Sequence, residues 1–302
     1  LLTRRQALSA AAAVTGNTLV AAALRSQSAP GAITASSLGA VTLLQGAGCN
    51  VVAMAGEHGA LMIDGGLSPN AAVLIDTVLG ITGNARIHTL INTHWHPEQT
   101  GANERVGRDG AVIFAHEITR MYLANAVYSV TFEGRRAPLP AFARPNETTR
   151  GEGSLEFADT RIDYGYLPAA HTDGDLYLHF PELDLLVAGG VVAGDRWPLL
   201  DYRNGAWFGG RVRALEWLAE VVNPETVVVP AHGPTISGRD IVRHKEIYLA
   251  LFETLIDYMN LGLGAEDVVK RNPLGQYMAE FGDAAAFLDG AYRSMLIAYV
   301  PD

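Results

Sequence analysis

His94-Trp95-His96-Pro97-Glu98-Gln99 sets two imidazoles, a carboxylic acid and an amide within six residues, directly after an apolar run. That run, Ile87-His88-Thr89-Leu90-Ile91-Asn92-Thr93, reads as a buried strand. In an extended chain residues i and i+2 point the same way, so His94 and His96 are expected to converge on one cation, whereas a helix would splay them apart. Pro97 carries no backbone N–H and is expected to end the ladder. Both histidines then fall at a strand's C-terminal edge, where open α/β sheets keep their chemistry.

Two further strand-like runs end the same way. Arg161–Leu167 leads into Pro168-Ala169-Ala170-His171-Thr172-Asp173-Gly174-Asp175, and Val227-Val228-Val229-Pro230 leads into Ala231-His232-Gly233-Pro234. Three apolar strands that each finish in a histidine beside a Gly or Pro turn imply a shared metal site rather than three unrelated core histidines.

The order of these segments, Asp64-Gly-Gly, His94-x-His-x-Glu-Gln-x-Gly-Ala-Asn103, Ala170-His-Thr-Asp-Gly-Asp175 and Pro230-Ala-His-Gly233, resembles the metallo-β-lactamase-fold hydrolase superfamily over roughly residues 40 to 240. In that family the central motif reads His-x-His-x-Asp-His. The resemblance implies that His94, His96 and His171 hold one zinc ion. It also implies that Asp64, ending the apolar strand Ala60–Ile63, orients a ligand histidine. The family's second metal is held by the Asp and last His of the central motif, a bridging Asp after a hydrophobic strand, and the histidine of the last motif. This chain has Glu98, Gln99, Gly190 and His232 in those places.

The departures have a chemical meaning. Gly190 removes a bridging carboxylate and Gln99 replaces an imidazole by a neutral amide, so Glu98 and His232 are the only good ligands of the second-site remnant. Zinc sites normally have three or four protein ligands, so a tightly held second zinc is not expected, and Asp195 is read as part of the following loop rather than as a replacement ligand. Three neutral imidazoles with an open position suffice to lower the pKa of a bound water to about 7. Glu98, one methylene longer than the family's Asp, then reads as a general base, and His232 as a donor to an oxyanion or leaving group; the competing reading is inherited scaffold. Replacing Glu98→Asp, Gln99→His and Gly190→Asp together is expected to restore the second zinc. His116 is read as a supporting or structural residue, and Asp175 as the brace of the turn after His171. His58, His88, His179 and His244 are read as surface or satisfied sheet residues.

Thr3-Arg4-Arg5-Gln6-Ala7-Leu8, followed by an Ala-rich run to Leu24, looks like a twin-arginine export signal over residues 1–29, with processing near Ala21–Ala23 or before Pro30. The expected location is the periplasm, with an uncleaved signal as the only means of membrane attachment. The net charge of −10 without a Lys/Arg block argues against nucleic acid or anionic membrane as partners. Cys49 is the only cysteine, so no internal disulfide forms, and its strand-like surroundings make it a core residue rather than a nucleophile.

Along the chain, strands are expected within 41–64, a helix over 69–79, the His-x-His strand, a short helix from about Gly101, a strand over 111–115 and a helix over 117–126. A polar connection over 133–153 precedes hairpin strands within 155–192, a helix over 209–222 and a strand over 226–230. Helices follow from Gly238, with Leu249, Phe252, Leu255, Ile256 and Met259 near a 3.6 period. The expected fold is a four-layer αββα sandwich, one domain over 30–302 that includes a helical extension from about 240. The extension is expected either to cover the core or to contact a second copy or a larger complex.

Trp95, Trp197, Tyr202, Trp207 and Phe208 suggest an apolar wall for a small hydrophobic substrate. Ester, lactone, amide and thioester hydrolysis all fit. The first functional class is a mononuclear zinc hydrolase. The alternative is a non-catalytic ligand-binding or complex-forming relative that lost its second metal. Iron-dependent oxygenase chemistry fits least, because its carboxylate ligand would come from the position of Gly190.

Overall fold

The computed structural model describes residues 32–299. The segment 1–29, read as an export signal, lies outside them. Among the described residues no helix is long and apolar enough to cross a membrane.

Strands β1 (Thr34–Leu38), β2 (Val41–Gln45), β3 (Val51–Met54), β4 (Ala60–Ile63), β5 (Ile87–Ile91), β6 (Val112–His116) and β9 (Glu147–Thr149) form a seven-stranded sheet in that order. β1 to β4 run antiparallel, while β4, β5, β6 and β9 are parallel. The second sheet has six strands in chain order: β10 (Gly153–Phe157), β11 (Thr160–Leu167), β12 (Asp175–Phe180), β13 (Leu185–Gly189), β14 (Val227–Pro230) and β15 (Ile236–Ser237). Its one parallel pair, β13 and β14, is joined through helix α5 (Phe208–Val221).

Side-chain parity makes the layers. Along β4, Leu61 and Ile63 pack toward the second sheet with Leu176, Leu178, Phe180 and Val187. Ala60 and Met62 pack the other way, against Leu74 and Val78 of α1 (Ala71–Thr82) and Val106 of α3 (Asn103–Arg108). On the far side Leu186, Ala188 and Val228 meet α5 and the C-terminal helices α6 (Gly238–Asn260), α7 (Ala265–Arg271), α8 (Met278–Phe281) and α9 (Ala285–Tyr299). A period of two feeding two opposite apolar faces gives the αββα sandwich expected from the sequence. The helical extension covers the second sheet. α6 starts where the Asp240 carboxylate accepts from both the N–H and the hydroxyl of Ser237.

Three details differ from the sequence reading. β1 adds an exposed edge, and residues 147–149 inside the polar connection complete the first sheet, preceded by helix α4 (Glu117–Leu123) and a small hairpin of β7 (Val127–Tyr128) and β8 (Arg135–Arg136). β5 ends at Ile91, so His94 and His96 sit in a loop and converge through its turn rather than through strand alternation. Pro97 opens the one-turn helix α2 (Pro97–Thr100), where its missing N–H costs nothing.

The parallel strands of the first sheet and β11, β13 and β14 of the second all deliver their following loops to one edge. There Leu176 N–H donates to Thr93 O (2.8 Å) and Ala231 N–H to Gly189 O (2.8 Å), locking the histidine loops to the neighbouring strands.

Candidate metal centre

His94, His96 and His171 are buried at that edge, with one donor nitrogen from each lying within 4.8 Å of the others. Their hydrogen bonds determine which nitrogens face inward. His171 Nδ1 donates to Leu199 O (2.7 Å), which leaves Nε2 as a lone pair 3.1 Å from His96 Nδ1. His96 Nε2 in turn donates to Asp201 Oδ2 (3.0 Å), so its Nδ1 is a lone pair too. His94 Nδ1 contacts Thr93 Oγ1 (3.0 Å), and its Nε2 is buried without a partner. Burial holds His94 and His171 well below the usual imidazole range, with the neighbouring histidines pushing the same way. Three inward lone pairs with no proton to share are mutually repulsive and are what a divalent cation needs. A set of three imidazoles suits zinc.

The supporting residues come from distant segments. Asp64 adopts φ 64°, a left-handed conformation rare outside glycine, which aims its carboxylate at Thr93 N–H (2.8 Å) and Thr93 Oγ1 (2.9 Å). It thus reaches His94 through Thr93 rather than touching a histidine directly. Burial pushes Asp64 up to about 8, against those hydrogen bonds. Asp175 accepts from the N–H groups of His171 (2.6 Å) and Thr172 (2.8 Å), bracing the turn. Cys49 is buried in the core, its thiol donating to Glu98 O (2.8 Å), and burial raises it well above the usual thiol range.

Asp201 and Arg211 carry weight that no local pattern announces. Asp201 also accepts from Ser129 Oγ (2.7 Å) and Asn204 Nδ2 (2.9 Å), so its grip on His96 is itself held. Arg211, fully buried, donates to Pro198 O (2.8 Å), Leu199 O (2.8 Å) and Ala170 O (3.2 Å), fixing the carbonyl that orients His171. His116 is set apart, stacked on Tyr166 with centroids 4.0 Å apart. His58 is exposed and His88 and His179 are half-buried in strands, but His244 departs from the sequence reading: it is buried on α6 with Nδ1 unpartnered.

At the second-site remnant, Glu98 Oε1 and His232 Nε2 stand 3.8 Å apart, and among the described residues no third carboxylate, thiolate or imidazole joins them. Burial opposes the charge on Glu98. The adjoining His232 and nearby His96 outweigh it and hold the carboxyl below its usual range. Gln99 is fully buried with both amide atoms unpartnered. Asp195 turns to Arg196 (2.8 Å). A Cβ on Gly190 would stand 2.2 Å from His171 Cδ2. This corrects the expectation for Gly190→Asp: the new side chain would strike a ligand of the first metal before it could bridge to a second.

His171, Glu98 and His232 open onto a cavity of about 470 Å³. Of the aromatic residues expected to wall it, only Trp197 does; the others are Phe281 and Phe287 from the C-terminal helices. Trp95 is fully buried and stacked on Tyr122 (4.7 Å), and Tyr202, Trp207 and Phe208 do not line the cavity.

Residues 44–237 match the family model of the metallo-beta-lactamase superfamily. The chain belongs to that superfamily. Within it, the chain is 26% identical over 221 residues to the 2,4-dinitroanisole O-demethylase subunit alpha of Nocardioides sp. (strain JS1661), a match spanning 72% of this chain and 62% of that relative's length. Its fold is similar to a metallo-beta-lactamase from Pontibacter korlensis (TM-score 0.55, 18% identity, 72% of this chain and 93% of that one). It is also similar to the stereoselective inverting sec-alkylsulfatase Pisa1 from Pseudomonas sp. (TM-score 0.62, 14% identity, 86% and 49%). In this superfamily member the three histidines are assembled, while Glu98 and His232 stand together without a third donor among the described residues.

Proposed function

We propose that the chain is an exported, mononuclear zinc hydrolase that cleaves an ester, lactone, amide or related bond of a small molecule. The observation that carries this reading is the convergence of three imidazole lone pairs at the wall of a cavity that also exposes Glu98 and His232. His94, His96 and His171 would hold zinc, which would supply an acidified water near neutral pH and polarise the bond to be cleaved. Glu98 Oε1 is placed to accept a proton at the cavity wall. His232, 3.8 Å away, donates from its imidazole to the departing atom or the developing oxyanion. Asp201 and Leu199 hold the ligand rings so that neither swings as charge moves. The similarity to an O-demethylase adds aryl methyl ethers to the bonds worth testing, and Arg4-Arg5 supports export.

The test is turnover of an ester, lactone, amide, β-lactam and aryl methyl ether panel by the zinc-loaded protein, with Glu98→Gln alongside. Glu98→Gln is expected to keep its zinc and to lower kcat by about 10²- to 10⁴-fold on any substrate found. Zinc-loaded protein that turns over nothing would favour the non-catalytic reading, and an unchanged kcat in Glu98→Gln would remove its role as base.

A further inference from the structure

We infer that the molecule received by this cavity has an uncharged, apolar body, and that the C-terminal helices select it; this rests on the hydrolase reading above. Part of the cavity wall is an aromatic cluster. Trp197 lies parallel to Phe287 (centroids 5.4 Å apart, 17° between planes) and packs against Phe281 (4.8 Å), and its indole N–H donates to Gly282 O (3.3 Å). Phe281 and Phe287 lie beyond residue 237, where the family match ends, so the shared fold does not supply this surface. Only the edges of these packed rings reach the cavity, and with Val192, Ala193, Pro198, Leu199 and Ala286 they make its lining mainly apolar.

The side chains of the cavity wall leave no free cation for an anion on a substrate's body. Glu98, Asp195 and Asp283 contribute three carboxylates, and the one cation, Arg196, is engaged by Asp195 through two hydrogen bonds (2.8 and 3.2 Å). No lining residue offers an uncommitted Arg or Lys, so a carboxylate, sulfate or phosphate on the body of a substrate would be desolvated without a partner. A cavity of about 470 Å³ is of small-molecule size.

The test is equilibrium binding to the zinc-loaded full chain of two probes built on the same ring system, neutral 2-acetylnaphthalene and anionic 2-naphthalenesulfonate. The ketone is expected to bind at least tenfold more tightly. Ala286→Phe, which fills the cavity from a half-buried position, should weaken the ketone at least tenfold with zinc content unchanged. Asp283→Asn should strengthen the sulfonate severalfold. Sulfonate binding equal to or tighter than the ketone, or ketone affinity unmoved by Ala286→Phe, overturns the inference. If the ketone binds as expected and no neutral substrate turns over, the hydrolase reading fails while this recognition stands. Turnover of anionic substrates together with tight sulfonate binding gives the reverse.

Discussion

At the scale of single residues the site is a problem in tautomers. Each imidazole presents a lone pair inward because something outside claims its other nitrogen: Thr93 for His94, Asp201 for His96 and Leu199 O for His171. Asp201→Asn leaves the shape but removes the charge that holds His96's N–H, so zinc affinity is expected to fall about 10- to 100-fold in competition with a chelator. Unchanged affinity would mean that the His96 orientation is set elsewhere. Gly190→Ala puts a methyl against His171 and should also weaken zinc in the same assay; a variant that binds like the parent would show that His171 has room to move. His94 and His96 were legible because their spacing is local, and His171 because it ends its own strand-like run beside a Gly turn. Asp201, 105 residues from His96, and Arg211, a charge inside an amphipathic helix that reads as solvent-facing, have no such signature.

Among the elements, α6 carries a consequence for pH. His244 is buried there, and burial lowers it from the usual 6.5 to about 4. The fold holds it neutral while the unfolded chain binds a proton below about 6.5, so its contribution is fully present above that pH and is lost as pH falls toward 4. Between pH 7 and 5 the parent should lose about 2 kcal/mol more unfolding free energy than His244→Gln, measured by urea titration. Equal losses would mean that His244 is protonated in the fold. Continuous apolar strands such as β4 and β13 were readable as short apolar runs bounded by turn residues, and parity then sets which layer each residue faces. β9 and the β7–β8 hairpin were not, since strands of three and two residues leave no period to detect and depend on neighbours for their pairing.

For the whole molecule, two sheets bring seven strand ends to one edge, and helices cover both outer faces. The layered fold and its motif order were present in the sequence. The role of the C-terminal helices in walling the cavity was not, because which surface an amphipathic helix covers depends on the tertiary arrangement. The account stands on a single complete metal site. Elemental analysis of the purified full chain, with His171→Ala beside it and circular dichroism on both, tests that most directly. The prediction is one zinc per chain in the parent and none in the variant, with unchanged secondary structure. Two metals per chain in the parent, or metal retained by the variant, would contradict it.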